Sequence, residues 1–415
     1  MRIQTNDRFS NLTTIPDCIT MSGQMESQDT GNLFNAKKIN EILDVSLAKC
    51  LLPIDQAWSL PPECYSNSYI TALEVANIFQ HQWFCVGRVD QLAGAGDYTC
   101  IDFSDLSIIL VRDNDLNYRA FANTCRHRGA RLLDGSGRIG GIRCPFHSWA
   151  YKLDGSLAGA PHMEAASNFC KSEFKLMDYK VDECLGFLFV CLSQDAPNLE
   201  NILGNFSAAH SPWPIETLVS KRLRSFEVNC NWKIFIEVFN EYYHLPSVHP
   251  NSIDDVYLTP DPSDSVNGAF ASQFGATEGT GGLLQTTQQK PLPLMPGLGG
   301  KEASGVRYSW VFPNMTLAIG IDAMWVYHAY PLTSDRCLVY QTACFPPETI
   351  QHDDFNDRVV AYYHRLDAAL AEDIPALINQ QKGLSNPDAQ QGRFQPLLEP
   401  NVARFASWYA KQMRQ

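Results

Sequence analysis

Two short cysteine–histidine pairs constrain the fold of this chain more than any other feature. Cys125 and His127 form a Cys-x-His pair, and sixteen residues separate it from the Cys-x-x-His pair of Cys144 and His147. Each pair can present two metal ligands from one tight loop, and both loops lie between β-type segments. The pattern therefore predicts a β domain in which two neighbouring turns hold one metal centre. The residue types fit either a closed tetrahedral zinc site or a [2Fe–2S] cluster in which each loop supplies one ligand to each iron.

Strand-like and helical patterns divide the chain into regions. Short β-type runs separated by turn residues fill positions 83–192. The second half mixes such runs with helical patterns, in particular from Trp232 to about Tyr243 and from about Asp353 to Gly383. An antiparallel sheet with helices packed against it is typical of this mixture, so we predict an α+β fold.

The same patterns predict domain boundaries. A stretch rich in Gly, Gln and Pro from Gly275 to Gly300 predicts a long surface loop or lid, and Met21 or Met25 could serve as alternative starts. The predicted segments are a poorly ordered extension over 1–34, a helical segment over 35–82 that packs on the C-terminal domain, the cysteine–histidine β domain over 83–195, and the C-terminal domain over 196–415.

Composition excludes several classes of protein. The formal net charge of −13 argues against a nucleic-acid binder, whose footprint is usually basic. The longest apolar run, Cys184 to Leu192, is far shorter than the roughly 20 residues that cross a bilayer, so no membrane span is expected. Thirteen cysteines in a long chain indicate a reducing compartment, and the first 30 residues fit neither a secretory signal nor a transit peptide. We therefore expect a cytoplasmic protein.

The residues around the two pairs resemble the Rieske domain of Rieske non-haem iron oxygenases. The resemblance lies in the segments 125–129 (CRHRG), 144–149 (CPFHSW) and 153–155 (LDG). It implies a [2Fe–2S] cluster rather than zinc. Imidazole ligands raise the potential of such a cluster above that of an all-cysteine cluster, which suits a relay of electrons from a low-potential carrier. The ligands implied are Cys125, His127, Cys144 and His147.

One glycine pattern in this region does not predict a nucleotide site. Residues 135–140 match G-x-G-x-x-G, but they lie between the metal ligands and no helix opens after them. We therefore expect NAD(P)H to act only indirectly, through a reductase.

A second group of candidate ligands follows Trp232. Residues five apart on a regular helix point about 140° away from each other, so His244 and His249 share a face only if the helix stops between them. Pro246 is expected to break the helix there, because proline removes a backbone donor and clashes with the preceding turn. Glu241 precedes His244 by three residues and is within reach of it on a helix.

This segment resembles the catalytic-domain signature of the same oxygenases, in which two histidines and a carboxylate hold a mononuclear Fe(II). The resemblance implies His244 and His249 as iron ligands. Asp373 is the predicted third ligand, because it falls on the apolar stripe of the C-terminal helix, where an acid is costly unless it is paired or bound to metal. Asp367, off the stripe, is the weaker candidate, and Glu372 is turned about 100° away from Asp373.

Glu241 takes a separate role in the resemblance. An acidic residue at this position of the family joins a Rieske histidine of one subunit to an iron-binding histidine of the next. The match therefore implies that Glu241 lies between His244 and His147 of an adjacent chain. This bridge requires a homo-oligomer, and a closed head-to-tail ring, a trimer, is expected.

The resemblance covers about residues 60–415 and implies a helix-grip catalytic domain that activates O2 at Fe(II). Glu at position 241, together with the C-terminal segments 392–394 (GRF) and 405–408 (FASW), most resembles the choline, glycine betaine and carnitine oxygenase branch. Enzymes of that branch hydroxylate or N-demethylate quaternary ammonium compounds. Trp310, Trp325 and Tyr327 could enclose such a cation. The alternatives are a ring-hydroxylating dioxygenase that acts on an aromatic acid, and a Rieske electron carrier, for which the second ligand group would have no use.

A basic patch around the cluster motif suggests how electrons arrive. Six basic residues are offset in this region by Asp134 and Asp154 alone, in a chain that is acidic overall. We expect an acidic ferredoxin or flavin reductase component to dock there. The basic residues are Arg126, Arg128, Arg131, Arg138, Arg143 and Lys152.

Overall fold

The computed structural model describes residues 39–41, 43–250, 252–253, 256–257 and 259–414. The predicted extension over 1–34 lies outside these described residues. The chain divides into two units, Met1–Asp44 and Val45–Gln415. In the first unit the described residues are helical, and every strand and named helix below belongs to the second. Within the described part of the chain, no helix is both long and apolar enough to span a membrane.

The described residues of the N-terminal half form mainly strands. They are β1 Phe84–Arg88, β2 Asp97–Phe103, β3 Leu106–Arg112, β4 Tyr118–Ala122, β5 Ser136–Arg138, β6 Ile142–Arg143, β7 Ala150–Tyr151, β8 Leu157–Gly159, β9 Asp178–Cys184 and β10 Phe187–Cys191. Short helices α1 Glu63–Ser66 and α2 Ser68–Glu74 precede them, and a π-helical turn Val75–Phe79 continues α2. Short 3-10 segments occur at Lys49–Leu51, Val89–Leu92, Met163–Ala165 and Lys171–Phe174.

The C-terminal half combines long strands with helices. Its strands are β11 Val219–Val228, β12 Phe270–Ala276, β13 Gly305–Val311, β14 Met315–Ile319, β15 Met324–Thr333 and β16 Arg336–Phe345. Its helices are α3 Leu199–Leu203, α4 Phe206–His210, α5 Trp232–Val238, α6 Leu245–Val248, α7 Pro347–Ile350, α8 Phe355–Leu384 and α9 Pro400–Met413, with 3-10 segments at Ile215–Thr217 and Gly300–Ser304.

Three antiparallel sheets organise these elements. Seven strands pair in the order β1-β10-β9-β4-β3-β2-β5, and β6-β7-β8 form a small separate sheet. The third sheet has the order β11-β16-β15-β14-β13-β12. The long helix α8 packs on this sheet, since the rings of Phe355 and Tyr362 contact Phe345 of β16 at 5.4 and 5.9 Å. The predicted α+β fold is confirmed.

The segment before β1 is anchored on the C-terminal half by buried polar contacts. Glu74 accepts a hydrogen bond from Trp232 Nε1 at 2.8 Å and pairs with Lys233 Nζ at 2.5 Å. Both charged side chains are fully buried. A buried pair of this kind gains little net stability, but removing one partner leaves an unpaired charge and costs roughly 3–5 kcal/mol.

The predicted helix from Trp232 to about Tyr243 is wrong in its extent. Helix α5 ends at Val238, because Asn240 donates its side-chain amide to the carbonyl of Ile236 at 2.8 Å and to Thr316 Oγ1 at 3.0 Å. Pro246 therefore does not break a long helix. It lies in the first turn of the separate helix α6, where a missing N–H is tolerated.

Two further predictions are refined by the structure. The surface loop predicted to begin at Gly275 begins two residues later, because β12 extends to Ala276 and pairs with β13. The long helix begins at Phe355 rather than about Asp353 and ends at Leu384. Its predicted apolar stripe is buried throughout, at Phe355, Val359, Tyr362, Leu366, Leu370 and Leu377.

Candidate metal centres

The first candidate centre lies where two loops meet. The loop with Cys125 and His127 follows β4, and the loop with Cys144 and His147 joins β6 to β7. Each loop closes on its cysteine, since the carbonyl of Cys125 accepts from Gly129 N at 2.9 Å and that of Cys144 from Ser148 N at 3.1 Å. Gly129 has φ +74°, a left-handed conformation that glycine adopts without strain.

The four predicted cluster ligands face one another across these loops. Both cysteines are buried, whereas His127 is half-buried and His147 exposed, and the two imidazole rings are 4.8 Å apart. Among the described residues they do not form a compact cage in which every ligand atom lies within 4.8 Å of the others. A ligand set spread in this way suits two iron atoms better than one tetrahedral zinc ion.

Two buried aromatic residues hold this arrangement. The hydroxyl of Tyr151 lies 3.3 Å from Cys125 Sγ and accepts a hydrogen bond from Arg126 N at 3.0 Å. The ring of Trp149 stacks on His127 at 4.9 Å with an angle of 11° between the planes. Both side chains belong to a hydrophobic cluster beneath the loops, so packing fixes the direction of the ligands.

The second candidate centre is formed by the ends of a short helix and the middle of a long one. His244 and His249 are the N-cap and C-cap residues of α6, and Asp373 projects from α8. Asp373 Oδ1 lies 2.9 Å from His249 Nε2 and 3.7 Å from His244 Nε2. Within the described part of the chain, these three form one set whose ligand atoms all lie within 4.8 Å of one another.

The residues present fit a divalent iron ion. Asp373 is 2 % exposed, and its Oδ1 atom has no partner of hydrogen-bond geometry among the described residues. A buried carboxylate oxygen without a donor is costly unless a cation binds it. Two imidazoles and one carboxylate on one side of a cavity are the ligand set of a non-haem Fe(II) facial triad.

Carboxylates behind the histidines fix their orientation. His244 Nδ1 lies 2.5 Å from Glu241 Oε1, and His249 Nδ1 lies 2.6 Å from Glu372 Oε2. Ser252 Oγ donates to the same oxygen of Glu372 at 2.6 Å. With each Nδ1 held by a carboxylate, each Nε2 is directed toward Asp373. Burial lowers the pKa of His249, but the carboxylates of Asp373 and Glu372 outweigh it and raise that pKa overall.

Glu372 was missed as a functional residue from the sequence. Its position one residue before Asp373 turns it away from that ligand, as predicted, but His249 approaches from the other side. Glu241 is close to His244, although a bend after α5, and not a shared helix, brings them together.

A cavity opens beside the second centre. Phe239, Leu245, Ile253 and Ala369 give it an apolar wall, and His244, His249 and Asp373 lie at one side. Its polar lining also includes Tyr257, Tyr308 and Arg365.

The three aromatic residues predicted to enclose a cation are not brought together. Trp310 is fully buried against Phe405, with ring centroids 3.8 Å apart. Tyr327 stacks on Phe239 at 4.5 Å, behind the cavity wall. Trp325 does line the cavity, but the guanidinium of Arg365 lies over its ring at 4.9 Å.

The predicted basic patch is smaller than the sequence indicated. Arg131 pairs with Asp102 at 2.8 Å and with Asp134 at 2.5 Å, and Arg138 pairs with Asp97 at 2.6 Å. Asp97 and Asp102 come from β2, which the sequence did not place beside the cluster motif. Arg126, Arg128 and Arg143 are exposed and form no ion pair within the described residues.

Two family models match this chain. Residues 82–174 match the Rieske [2Fe-2S] domain, and residues 215–415 match the catalytic domain of the ring hydroxylating alpha subunit. The first match contains all four ligands of the first candidate centre. The second contains His244, His249 and Asp373.

Relatives of known activity align with most of the chain. It is 29% identical over 340 residues to the carnitine monooxygenase oxygenase subunit of Escherichia coli (strain K12), covering 80% of this chain and 85% of that protein. It is 26% identical over 385 residues to the glycine betaine monooxygenase oxygenase subunit of Chromohalobacter salexigens, covering 86% of each. It is 24% identical over 366 residues to the chloroplastic choline monooxygenase of Atriplex hortensis, covering 86% of this chain and 78% of that protein.

Solved structures share the fold. A quaternary ammonium Rieske monooxygenase in complex with its substrate γ-butyrobetaine superposes with a TM-score of 0.71 at 25% identity, covering 89% of this chain and 98% of the other. Naphthalene 1,2-dioxygenase from Rhodococcus sp. superposes with a TM-score of 0.72 at 19% identity, covering 89% and 98%, and this likeness concerns the fold alone.

Proposed function

The chain belongs to the Rieske non-haem iron oxygenases, and on that premise we propose that it monooxygenates a small quaternary ammonium compound. One observation carries the proposal: His244, His249 and Asp373 meet at the side of a cavity with an apolar wall. A Rieske electron carrier without oxygenase activity would need neither the second centre nor the cavity. The relatives named above, which act on carnitine, glycine betaine and choline, support the substrate class.

The proposed ligands follow from the two sites. Cys125, His127, Cys144 and His147 would hold the [2Fe–2S] cluster, and His244, His249 and Asp373 would hold Fe(II). When bound, the iron supplies O2 activation with electrons that the cluster relays.

The chain's own residues position and shield this chemistry. Glu241 and Glu372 hold the Nδ1 atoms of the two histidines, so that both Nε2 atoms point to one place. Phe239, Leu245 and Ile253 line the cavity and reduce the water available to compete with substrate. The cavity therefore favours a compact organic substrate held beside the triad.

Glu241 also supports a proposal about assembly. Its Oε1 atom engages His244, and its side chain is 12% exposed and lines both the cavity and a second surface depression. We propose that His147 of a neighbouring subunit, which is exposed in this chain, approaches Glu241 there. A closed ring, a trimer, would repeat this contact at each interface, with a ferredoxin or flavin reductase component passing electrons from NAD(P)H to the cluster.

Product analysis with a substrate panel tests the function. The purified protein, loaded with iron and given an artificial electron donor and O2, should convert at least one of choline, glycine betaine and carnitine. N-demethylation would appear as formaldehyde. Conversion of an aromatic acid to a hydroxylated product, with no turnover of any quaternary amine, would contradict the proposal and favour the ring-hydroxylating alternative.

A further inference from the structure

A buried arginine lies in the cavity beside the second centre. Arg365 is 4% exposed and belongs to the same helix, α8, as Asp373. Eight positions separate the two residues, about 12 Å along the helix axis. Both side chains line the same cavity, so one helix presents a cation and the candidate metal ligand to one bound molecule.

The described contacts of Arg365 are made with an aromatic ring and a hydroxyl group. The guanidinium lies over the ring of Trp325 at 4.9 Å, and Nη2 donates to the hydroxyl of Tyr257 at 3.0 Å. Within the described part of the chain, its Nε atom has no hydrogen-bond partner. Among the described residues, no carboxylate forms an ion pair with this arginine.

The neighbouring tyrosines extend the polar group. The hydroxyl of Tyr257 lies 2.7 Å from that of Tyr308, and both residues line the cavity. A desolvated guanidinium that meets only phenol hydroxyls and an aromatic face is poorly compensated in the free protein. A carboxylate in the cavity would complete it, because carboxylate matches the planar donor fork of arginine.

We infer that Arg365, with Tyr257 and Tyr308, forms a carboxylate-binding subsite, so that the substrate carries an acid group as well as its ammonium group. This inference rests on the proposed function for the ammonium end, but the anion subsite itself is argued from Arg365 and its contacts and does not depend on that function. It orients the substrate with its acid at Arg365 and its other end toward Asp373. It also means that Trp325 positions the arginine and does not enclose the substrate's ammonium group on that ring face.

The inference predicts which quaternary amines bind. Glycine betaine and choline share the trimethylammonium group, but the first ends in a carboxylate and the second in a hydroxymethyl group. A site that holds a buried cation ready for an anion rejects the analogue that leaves the cation unpaired. Glycine betaine or carnitine should therefore bind at least tenfold more tightly than choline.

Equilibrium titration of the iron-loaded protein, without electron donor and without O2, tests this. Arg365→Gln should weaken the binding of the carboxylate-bearing amine by ten- to a hundredfold and change choline binding by less than twofold. Arg365→Lys should recover part of the loss, because it restores the charge without the planar fork. Arg358→Gln is the matched control, since Arg358 lies on the same helix but pairs with Asp354 and does not line the cavity; it should bind both amines as the wild type does.

The outcomes separate the two proposals. Equal affinity of the wild type for choline and glycine betaine, or unchanged carboxylate binding in Arg365→Gln, would overturn the anion subsite and leave the quaternary ammonium function intact. If the wild type binds an aromatic acid but no quaternary amine, and Arg365→Gln loses that binding, the subsite is supported and the quaternary ammonium function fails. Iron content and circular dichroism verify that each variant is folded, and the wild-type comparison does not depend on any variant.

Discussion

The two candidate metal centres of this chain are built by opposite routes. All four proposed ligands of the cluster site fall within residues 125–147, in two loops whose turns close on the two cysteines. The mononuclear site joins His244 and His249 to Asp373, which follows His249 by 124 positions. A centre formed by local turns can be recognised in the sequence. A centre assembled from distant elements depends on how a helix packs on a sheet.

The largest expected effect comes from a variant that loses the metal of one centre while the other centre is monitored. Asp373→Ala should lose the mononuclear iron and reduce turnover by at least about a hundredfold, because a ligand lost from a three-residue set leaves two histidines to hold the ion. The visible spectrum of the cluster should be unchanged. Metal analysis and absorption spectroscopy measure both effects on one sample.

Asp367→Ala is the control for this change. Asp367 lies six residues earlier on the same helix, is half-exposed and pairs with Arg222 and Arg224, each at 2.7 Å. It should keep full iron content and near-normal turnover. Iron loss in Asp367→Ala with retention in Asp373→Ala would exchange the roles assigned to the two acids.

A second, smaller effect concerns the carboxylates behind the two histidines. Glu241→Gln keeps the length of the side chain but removes its charge, and should slow oxidation of the cluster by O2 and substrate severely at saturating iron, with both metals still bound. The reason is that Glu241 is proposed to join His244 to the neighbouring subunit's cluster. Rapid-mixing absorption spectroscopy of the reduced protein measures the rate.

Glu372→Gln provides the contrast. Glu372 holds His249 within its own chain and is not proposed to contact a neighbouring subunit, so this change should weaken iron binding by about ten- to a hundredfold and leave cluster oxidation near normal once iron is saturating. Equal behaviour of the two variants would show that Glu241 only orients a ligand, and an active wild-type monomer would contradict the ring.

A third test compares how the two domains respond to pH. Burial raises the pKa of Asp322, which accepts a hydrogen bond from Tyr362, to about 8. The folded protein therefore holds a proton that the unfolded chain releases near pH 4, and stability should fall as pH rises between about 4 and 8, by up to about 1.4 kcal/mol per pH unit. Chemical unfolding of wild type and Asp322→Asn at pH 6, 7 and 8 measures this; the variant should lose most of the dependence.

In the cluster domain, the pH dependence of stability has the opposite sign. The hydrogen bond from Arg131 lowers the pKa of Asp102, so this pair adds stability above the unfolded pKa and loses it as pH falls through the lowered value. Both side chains are about half exposed, so the contribution is small. A wild-type stability that rises from pH 6 to pH 8 would contradict the dominance of Asp322.

The smallest expected effect concerns reductase docking. Arg126→Ser with Arg143→Ser should lower the rate of electron delivery severalfold at low salt and much less at high salt, because exposed charges steer association and are screened by ions. Arg138→Gln, which removes an arginine already paired with Asp97, should have little effect. Stopped-flow reduction of the cluster over a range of ionic strength measures the rates, and salt-independent rates in the wild type would remove the patch from the docking surface.

The sequence by itself determined a large part of this protein. Three features are local patterns: the spacing of the two cysteine–histidine pairs, the apolar stripe of α8 and the acid on that stripe. A local pattern can be recognised without knowing how the rest of the chain packs. The strands around the cluster motif and the α+β class followed from the same kind of signal. The end of α5 could not be predicted, because it depends on Asn240 meeting Thr316 from β14.

Only the tertiary structure decided what the buried polar side chains face. Arg365 follows Tyr362 by three residues and so borders the buried stripe, a signal that could have marked it, but no pattern indicates that Trp325 and Tyr257 surround it. Glu372 likewise gains its role from His249, on a different helix. The spacing of apolar residues along a helix predicts which side chains are buried. The partner of a buried charge instead comes from segments far away in the chain, and the packing of those segments determines which residue it is.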